Sequence, residues 1–242
     1  MIDSKKRSAV KAVCWRVLAF TALSIVAFVL TGSLKQTGLI AITYQAASIL
    51  LYVGYERLWN GIQWGKTKGL TLQLTGMSGS GKSTLSSIVA KRLKKKGFLV
   101  EIIDGDEYRE NLCKDLGFSK EDRNTNIRRL SFVSKVLSRN NVISIIAAIN
   151  PYDEVRQENK KKDPNLKTVY IKCNLETLIH RDVKGLYKKA MLPDNHPDKI
   201  YNFTGISDPF EEPEQCDLVI ETDKQDLSNS AKILENFILR NV

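Results

Sequence analysis

The sequence predicts an α/β fold, with a mostly parallel sheet covered by helices on both faces, that follows a two-helix transmembrane hairpin. Three observations predict this organisation. Two long uncharged runs lie near the N-terminus, short apolar strands then alternate with helical stretches, and a glycine-rich segment separates the first strand from the first helix. Strands that alternate with helices indicate a parallel sheet between two helical layers. We therefore predict two domains among the 242 residues, at 1–66 and 70–242.

The two uncharged runs are each long enough to cross a bilayer. No charged residue occurs from 17 to 34 or from 36 to 55, and Lys35 alone separates the runs. A span needs about 20 largely apolar residues, so we predict spans at about 17–34 and 37–55, joined by a turn near 31–37. Three alternatives stay open: a cleaved signal peptide in the first run, two buried helices of a soluble domain, or a second run that lies partly in the membrane interface.

The positive charge of the chain is concentrated beside these runs. Residues 1–70 hold nine Lys and Arg against two Asp and Glu, a net of +7, whereas the whole chain carries +10. Basic residues precede the first run and follow the second, while the turn has only Lys35. The positive-inside bias then predicts a multi-pass protein of the cell (inner) membrane, with both termini and the α/β domain in the cytoplasm. The same distribution predicts a membrane as partner and argues against nucleic acid.

The α/β part begins after a short linker at 65–69. The predicted strands are 71–75, 98–103, 142–148, 168–173 and 218–221. The predicted helices are 82–95, 122–139 and 225–239. The charge run at 160–162 is interpreted as a solvated helix end. Four cysteines without a C-x-x-C spacing and only two histidines give no indication of a zinc or redox site.

The glycine-rich segment from Gly76 to Ser83 fits the pattern G-x-x-x-x-G-K-[ST] at every fixed position. Its glycines allow backbone N–H groups to point at phosphate oxygens, and the following helix adds its positive N-terminal end. The lysine of such a loop reaches the β- and γ-phosphates, and the serine hydroxyl binds Mg²⁺. A chance match is the alternative, but the predicted strand before it and helix after it favour an ATP site with Mg²⁺ as cofactor. The predicted ATP-binding residues are Gly76, Met77, Ser78, Gly79, Ser80, Gly81, Lys82, Ser83 and Thr84.

Two carboxylates, Asp104 and Asp106, follow the second predicted strand. They would lie at the carboxyl edge of the sheet, where open α/β folds bind ligands. One carboxylate could hold Mg²⁺ through water, and the other could accept a proton from an attacking hydroxyl. Arg109 could then meet an anionic substrate through two hydrogen bonds. An ordinary Asp-Gly turn is the alternative.

Two further groups of residues fit either a site or a plain surface. Arg123 and Asn126 share one face of a predicted helix, but a solvated helix would show the same pattern. The segments 184–189 and 202–207 enclose an irregular stretch, which is either a lid or a surface loop. A kinase requires a lid, because water that reaches the γ-phosphate would hydrolyse ATP.

Five motifs that follow the loop in order closely resemble the adenylyl-sulfate (APS) kinases. They are Asp104-Gly-Asp-x-x-Arg109, Asp115-Leu-Gly-Phe-Ser119, Asp122-Arg-Asn-Thr-Asn-Ile-Arg-Arg129, Lys184-Gly-Leu-Tyr-Lys-Lys189 and Phe203-Thr-Gly-Ile206. The similarity covers about residues 70–240 and implies a P-loop NTPase-type fold. It also implies a reaction of sulfate assimilation, in which the γ-phosphate of ATP passes to the 3′-hydroxyl of adenosine 5′-phosphosulfate and gives 3′-phosphoadenylyl sulfate.

The resemblance further implies roles for individual residues. Asp106 would orient or deprotonate the 3′-hydroxyl, with Lys82 at the phosphates. Ser83 and Asp104 would lie near the metal, and Arg181 near the ATP base. Arg109, Arg123 and Asn126 would bind the phosphosulfate and ribose of the acceptor, and Phe118 and Phe203 would clamp its adenine. Lys184, Gly185 and Leu186 would belong to the lid. Ile149 and Asn150 are further implied substrate-binding residues.

The chain departs from the family at four places. Asn150 stands where members have a serine described as phosphorylated, so a phosphoserine is excluded there. Val183 replaces a usual proline, Glu107 stands where asparagine is common, and 191–201 is longer than in typical members. Two alternatives therefore stay open: a kinase of the same fold with another nucleotide or a sugar-linked acceptor, and a catalytically silent nucleotide-binding membrane scaffold.

The first 65 residues resemble a small predicted membrane domain of uncharacterised function. The resemblance rests on Lys11, Trp15-Arg16, Thr31-Gly32, the stretch from Tyr55 to Trp59, and Trp64-Gly65. This domain occurs alone and fused to such kinases, which supports the hairpin and supplies no chemistry. As a further partner, the resemblance to the kinases implies a homodimer.

Overall fold

The computed structural model describes residues 5–61 and 68–242, and for 5–12 and 59–61 it describes the backbone alone. The chain divides into two compact units, Met1–Lys66 and Thr67–Val242. Each unit is described by itself.

The first unit contains two helices that pack against each other, α1 (Lys5–Thr31) and α2 (Leu34–Gly61). Gly32 ends α1 in the left-handed backbone region, at φ +62°, which glycine adopts without steric cost. Only residues 32 and 33 separate the helices. The predicted first span is therefore wrong at its end, and the predicted turn is too wide, because Leu34 already lies in α2.

Both helices are long and apolar enough to cross a membrane. The candidate spans are Val13–Thr31, with a mean hydropathy of 2.2, and Leu34–Leu58, with a mean hydropathy of 1.4. Only 6% and 11% of these two stretches are buried within the structure. This exposure disagrees with the alternative of two buried helices in a soluble domain, whose side chains would be covered.

The second unit is built on a sheet whose neighbouring strands are all parallel, in the order β2-β3-β1-β4-β5. The strands are β1 (Leu70–Thr75), β2 (Val100–Asp104), β3 (Ile143–Ala147), β4 (Leu166–Lys172) and β5 (Leu218–Glu221). The helices are α3 (Lys82–Lys95), α4 (Gly105–Asn111), α5 (Lys120–Arg139), α6 (Asp153–Lys162), α7 (Leu175–Arg181), α8 (Leu186–Ala190) and α9 (Leu227–Asn241). The predicted α/β fold with a parallel sheet is confirmed.

Most predicted elements of this unit differ from the observed ones only at their ends. α3 and β5 have the predicted bounds, and the others shift by one or two residues. The sequence does not predict α4, α7 or α8, since helices of five to seven residues are too short to show an apolar period. It indicates α6 only by its last residues, because Val155 is the one apolar side chain of that helix.

Helices cover both faces of the sheet. On one face, Leu85 and Val89 of α3 and Leu234 of α9 are fully buried against the strands. On the other face, Leu130 of α5 and Val155 of α6 are fully buried in a second core. The central strand β1 is buried at every residue, so the sheet is covered from both sides.

The parallel direction of the strands gives the sheet two unlike edges. The carboxyl ends of the strands meet at one edge, which we call the C-terminal edge, and the loops that follow β1, β2 and β3 begin there. The strands start at the opposite, N-terminal edge. Because α3, α5 and α6 run back to the start of the next strand, their C-terminal ends lie at the N-terminal edge.

Candidate active site

The loop from Gly76 to Gly81 joins the end of β1 to the start of α3 at the C-terminal edge. Gly76 has φ +153°, and a Cβ atom there would lie 2.4 Å from the carbonyl oxygen of Ile171. Gly81, at φ +99°, stands immediately before Lys82, the first residue of α3. Both positions therefore favour glycine over any larger residue. The free N–H groups at the start of α3 favour a bound anion.

The side chain of Lys82 folds back over this loop. Its Nζ donates to the carbonyl oxygen of Gly76 at 2.8 Å and to that of Met77 at 2.9 Å. Burial lowers the pKa of Lys82 to about 8, against the attraction of Asp106, while nearby Lys184 lowers it further. Phosphate oxygens in place of the two carbonyls would favour the charged ammonium again.

Ser83 and Asp104 meet beside the loop. The Ser83 hydroxyl donates to Asp104 Oδ2 at 2.7 Å, and Asp104 Oδ1 accepts from the backbone N–H of Asp106 at 3.0 Å. Hydroxyl and carboxylate oxygens are hard donors that suit Mg²⁺. In the described part of the chain, no group of three or more His, Cys, Asp or Glu side chains could hold a metal ion. Ser83 and Asp104 therefore fit a Mg²⁺ ion that takes its other ligands from phosphate and water.

Asp106 lies in the first turn of α4 and forms an ion pair with Lys184. The two side chains are 75% and 59% exposed. An exposed ion pair contributes little to stability, so both charges can exchange partners with a ligand at small cost. The pair joins the carboxylate at the sheet edge to the segment that the sequence predicts as a lid.

The ring of Phe118 contacts two guanidinium groups. Cζ of Arg109 lies 4.6 Å from the ring centroid, and Cζ of Arg123 lies 5.5 Å from it. The ring is still 59% exposed. Burial and repulsion by Arg123 lower the pKa of Arg109, yet a guanidinium stays charged at neutral pH. Two cations beside an open aromatic ring suit a ligand that has both anionic groups and a flat base.

Arg123 is held by backbone carbonyls of two loops. Its Nη2 donates to the carbonyl oxygen of Asn202 at 2.6 Å, and its Nε donates to that of Phe118 at 3.1 Å. Asp208 Oδ2 lies 3.8 Å from the same Nε. Arg123 and Asn202 are 79 residues apart in sequence. Their contact therefore fixes the start of α5 to the segment 202–207.

Two buried asparagines line the same cavity with polar atoms that lack a partner among the described residues. These atoms are Oδ1 of Asn126 and both Oδ1 and Nδ2 of Asn150. The two residues are 4% and 1% exposed. A buried polar group without a hydrogen bond costs roughly 1–3 kcal/mol, so a ligand that supplies these bonds would bind more tightly. Asn150 also has φ +48°, a conformation that asparagine tolerates better than most residues.

The segment from Asp182 to Tyr187 lies against the phosphate-binding loop. The Tyr187 hydroxyl donates to the carbonyl oxygen of Ser78 at 2.9 Å, and its ring meets that of Phe203 edge to face at 4.9 Å. Asp182 accepts from the backbone N–H groups of Tyr187 and Lys188 at 3.0 and 2.9 Å. Burial raises the pKa of Tyr187 to about 12, so its hydroxyl is a neutral donor. The segment thus connects the loop to Phe203.

One cavity of about 540 Å³ brings most of the predicted site residues together. The predicted residues that line it are Ser78, Gly79, Gly81, Lys82, Ser83, Thr84, Asp104, Asp106, Arg109, Phe118, Arg123, Asn126, Ile149, Asn150, Lys184, Leu186 and Phe203. The predicted residues outside the described lining are Gly76, Met77, Ser80, Gly185 and Arg181. Arg181 donates to the carbonyl oxygen of Thr222 at 2.8 Å, and its place beside the ATP base stays a prediction.

The cavity is also lined by residues that were not among the predicted site residues. Some lie in motifs or segments that the sequence singled out, namely Gly105, Ile127, Val183, Tyr187, Asn202 and Thr204. Sequence reasoning missed the others, which are Ala147, Ala148, Pro151, Asp182, Ile200 and Tyr201. The stretch from Ala147 to Pro151 follows β3 at the C-terminal edge, so the rule that ligands bind at this edge could have found it. Tyr201 gave no signal, because it lies in an irregular segment without a motif of its own.

Two family models match the chain. The model described as Adenylylsulphate kinase matches residues 68–221, which is more than half of the chain. The model described as Predicted membrane protein (DUF2061) matches residues 9–60. The two matches do not overlap, so each part of the chain has its own relatives.

Curated relatives and a solved structure match about seven-tenths of the chain. The adenylyl-sulfate kinase of Halothermothrix orenii is 46% identical over 169 residues, which are 69% of this chain and 89% of the relative. The probable bifunctional SAT/APS kinase 2 of Sorangium cellulosum is also 46% identical over 69% of this chain, but the match spans only 28% of its length. The structure of the Mycobacterium tuberculosis APS kinase in complex with AMPPNP and APS matches with a TM-score of 0.66 and 33% identity, over 72% of this chain and 99% of that one.

Proposed function

The chain belongs to the adenylylsulphate kinase family, and we propose that it transfers the γ-phosphate of ATP to the 3′-hydroxyl of adenosine 5′-phosphosulfate. The products are 3′-phosphoadenylyl sulfate and ADP. One observation carries the proposal: a single cavity is lined by the phosphate-binding loop, Asp106, and the group of Arg109, Phe118 and Arg123. Phosphoryl transfer needs these groups in one place, since it depends mainly on positioning and on neutralised charge.

Lys82 and the N–H groups of the loop are proposed to hold the β- and γ-phosphates of ATP. Nζ of Lys82 would exchange the carbonyls of Gly76 and Met77 for phosphate oxygens, which favours its charged form. Ser83 and Asp104 would hold Mg²⁺, which neutralises phosphate charge when bound. The 2.7 Å contact between these two side chains supports the assignment, because both oxygens already converge on one point.

Asp106 is proposed to accept the proton of the 3′-hydroxyl, and Lys184 to position the Asp106 carboxylate. The exposed ion pair between them supports this pairing. Lys184 lies in the segment that Tyr187 ties to the loop at Ser78. Closure of this segment over ATP would therefore be coupled to the placement of Asp106, and it would keep water from the γ-phosphate.

Arg109 and Arg123 are proposed to bind the phosphosulfate, and Phe118 to stack on the adenine together with Phe203. Both guanidinium groups lie within 6 Å of the exposed Phe118 ring. This arrangement supports the assigned roles, since adenosine 5′-phosphosulfate joins anionic groups to a flat base. A relative whose structure is described as a complex with AMPPNP and APS binds both kinds of ligand. The clamp also needs a fixed second wall, and Phe203 is buried against Tyr187.

Asn126 and Asn150 are proposed to form hydrogen bonds with polar groups of adenosine 5′-phosphosulfate. Their unpartnered side-chain atoms line the cavity. Asn150 has no hydroxyl, so this position cannot carry the phosphate during transfer. Phosphate would then pass directly from ATP to the acceptor.

The N-terminal domain, 1–66, is proposed to be a membrane hairpin, and 70–242 to be the kinase domain on the cytoplasmic side. Support comes from the match to a predicted membrane protein family, the two candidate spans and the basic residues at their outer ends. Protease added to inside-out vesicles should digest the kinase domain, and protection there would contradict this topology. A homodimer, implied by family resemblance, stays a prediction.

The proposed reaction is tested with the full chain in detergent micelles, Mg²⁺-ATP and a panel of acceptors. We expect ADP release that depends on adenosine 5′-phosphosulfate, with 3′-phosphoadenylyl sulfate as the product. Turnover with another nucleotide or a sugar-linked acceptor, and none with adenosine 5′-phosphosulfate, would make this a kinase of the same fold with a different substrate. ATP binding without any turnover would make it a nucleotide-binding scaffold.

A further inference from the structure

Unpaired cations gather at the N-terminal edge of the sheet, opposite the cavity. The C-terminal ends of α3, α5 and α6 lie at this edge, and so does that of α9, which packs along α3. We call this surface the basic face. Its exposed cations are Lys68, Lys94, Lys95, Arg139, Lys161 and Arg240.

The six cations form no ion pair with a carboxylate of the described residues, because the nearby carboxylates already have partners. Glu235 pairs with Arg92 and Lys96. Asp217 pairs with Lys160 and Lys167, and Glu158 with Arg128 and Lys162. Glu101, the second residue of β2, is the one exposed carboxylate in the strands near this edge. The face therefore carries a net positive charge that the protein itself does not neutralise.

Cations at helix C-termini also have an ordinary role, because they stabilise the helix dipole. That role covers Lys94, Lys95, Arg139, Lys161 and Arg240. It does not cover Lys68, which precedes β1. Nor does it explain Leu99, an apolar residue 57% exposed in the connection between α3 and β2.

The charge of this face differs from that of the domain as a whole. Residues 71–242 hold 28 Lys and Arg against 25 Asp and Glu, which is close to balance. General attraction of the whole domain to an anionic surface would therefore be weak. A local surface of one sign gives the domain a preferred orientation toward such a surface.

The chain enters the domain at the basic face. Lys68 is the first described residue after the gap at 62–67, and β1 begins at Leu70. Gly61 ends α2, whose candidate span ends at Leu58. An extended chain covers at most about 3.5 Å per residue, so the connection from Gly61 to Leu70 can be no longer than roughly 30 Å. If the first unit spans a membrane as proposed above, a connection of this length keeps the basic face within reach of that membrane.

We propose that the basic face docks on anionic phospholipid headgroups, with Leu99 entering the interface; this inference rests on the proposed membrane hairpin, which would supply the bilayer. Each Lys or Arg near an anionic leaflet raises affinity about fivefold. Because the two edges of the sheet are opposite each other, docking turns the cavity away from the membrane. ATP and a soluble acceptor then reach the cavity freely while the domain stays on the surface.

The proposal is tested on residues 68–242 without the tether, so that any membrane binding belongs to the face. This part has its own buried cores. The adenylyl-sulfate kinase of Halothermothrix orenii is matched over 89% of its length by 169 residues of this chain. Because that relative has little length left for a second unit, we expect residues 68–242 to fold alone. Flotation would use vesicles of phosphatidylcholine, with or without about one third phosphatidylglycerol. We expect binding only to the anionic vesicles, and its loss at high salt.

Matched charge reversals locate the binding. The pair Lys94→Glu with Lys95→Glu should weaken binding to anionic vesicles by about 25-fold or more, from two contributions of about fivefold. The control pair, Lys114→Glu with Lys232→Glu, changes the net charge equally at exposed sites, one between α4 and α5 and one in the N-terminal half of α9. It should bind within about twofold of the wild type. Leu99→Ser should weaken binding without changing its salt dependence.

Four outcomes would overturn the proposal. The domain could fail to float with anionic vesicles at low salt, or float equally well with phosphatidylcholine alone. Both charge-reversed pairs could lose binding equally, which would indicate attraction by net charge alone. A random RNA that bound the basic face as tightly as the vesicles do would indicate a general polyanion surface. Kinase activity of each variant on soluble substrates verifies that it is folded.

Discussion

The two sides of the cavity are built differently. On the ATP side, one continuous segment from β1 through Gly76 to α3 supplies the loop, and Lys82 is tied to the loop carbonyls. On the acceptor side, Arg109, Phe118 and Asn150 come from three separate segments, and both side-chain amide atoms of Asn150 lack a partner among the described residues. The ATP side is therefore largely preformed by backbone, whereas the acceptor side depends on side chains that a ligand completes.

Asp106→Asn should have the largest effect, because it removes the proposed proton acceptor from the boundary between the two sides. We expect kcat to fall by about 10²–10⁴-fold, the range for general base catalysis, with ATP affinity nearly unchanged. Glu110→Gln, an exposed change in the same helix, is the control and should leave kcat as it is. Steady-state rates with both substrates saturating measure this, and a wild-type rate in Asp106→Asn would refute the assigned role.

Lys82→Ala should act on the ATP side. Loss of one preorganised cation at developing charge costs about 10²–10³-fold in kcat, and ATP should also bind more weakly. Lys91→Ala, at an exposed position of the same helix, should change neither. Single-turnover rates and ATP titrations separate the two effects. Unchanged turnover in Lys82→Ala would mean that the loop does not hold the transferred phosphate.

Arg123→Ala should act on the acceptor side. A charge-assisted hydrogen bond contributes about 1.5–3 kcal/mol, so KM for adenosine 5′-phosphosulfate should rise by roughly 10- to 100-fold. KM for ATP should stay within about twofold. Arg128→Ala, in the same helix but paired with Glu121 and Glu158, is the matched control. A rise in both KM values alike would show that the two sides do not act separately.

The lowered pKa of Lys82 predicts a pH dependence on the ATP side. In the free protein the Lys82 charge is lost as pH rises through its lowered pKa of about 8, whereas an unperturbed lysine has a pKa of 10.5. Above pH 8, ATP binding should therefore take up a proton and weaken by up to about tenfold per pH unit. Between about pH 8 and 10.5 the unfolded chain binds more protons at this residue, so its contribution to folding stability rises with pH.

Calorimetry in two buffers of different ionisation enthalpy measures this proton uptake. We expect more uptake at pH 9 than at pH 7 in the wild type, and none attributable to this residue in Lys82→Ala. Equal uptake at both pH values, or the same uptake in the variant, would contradict a lowered pKa at Lys82.

Asn150→Ser should have the smallest effect on rate. It restores the side chain usual in the family, so we expect kcat within about fivefold of the wild type if transfer is direct. Folding stability should fall by about 1 kcal/mol, because serine tolerates the left-handed backbone at φ +48° less well than asparagine. Denaturant titration and steady-state rates check both values. A tenfold loss of kcat would give the Asn150 amide a direct part in the reaction.

The same difference between the two sides explains how much the sequence could predict. The ATP loop is local: its glycines, Lys82 and Ser83 are adjacent in the chain, and the predicted bounds of α3 are the observed ones. The contact of Arg123 with the carbonyl of Asn202 spans 79 residues, and no local pattern encodes such a distance. The motifs placed Arg123 and Phe203 in one site only because the chain resembles a known family.

Other features depended on backbone geometry that one sequence does not display. Gly32 could have ended a helix or lain within one, and only its left-handed backbone shows where the hairpin breaks. Asp182 and Tyr201 line the cavity because of how irregular segments fold over it. The short helix α8 depends on Asp182, whose carboxylate accepts from the backbone N–H groups of Tyr187 and Lys188, rather than on an apolar period.

The most direct test of the central claim is to follow the phosphate itself. Full-length protein in detergent would be incubated with ATP labelled at the γ-phosphate and with adenosine 5′-phosphosulfate, and the product would be digested with a 3′-nucleotidase. The account predicts that the label appears in 3′-phosphoadenylyl sulfate, is released entirely by the 3′-specific enzyme, and appears about 10²–10⁴-fold more slowly with Asp106→Asn. Label that stays on the protein, appears only as inorganic phosphate, or resists 3′-specific release would contradict it.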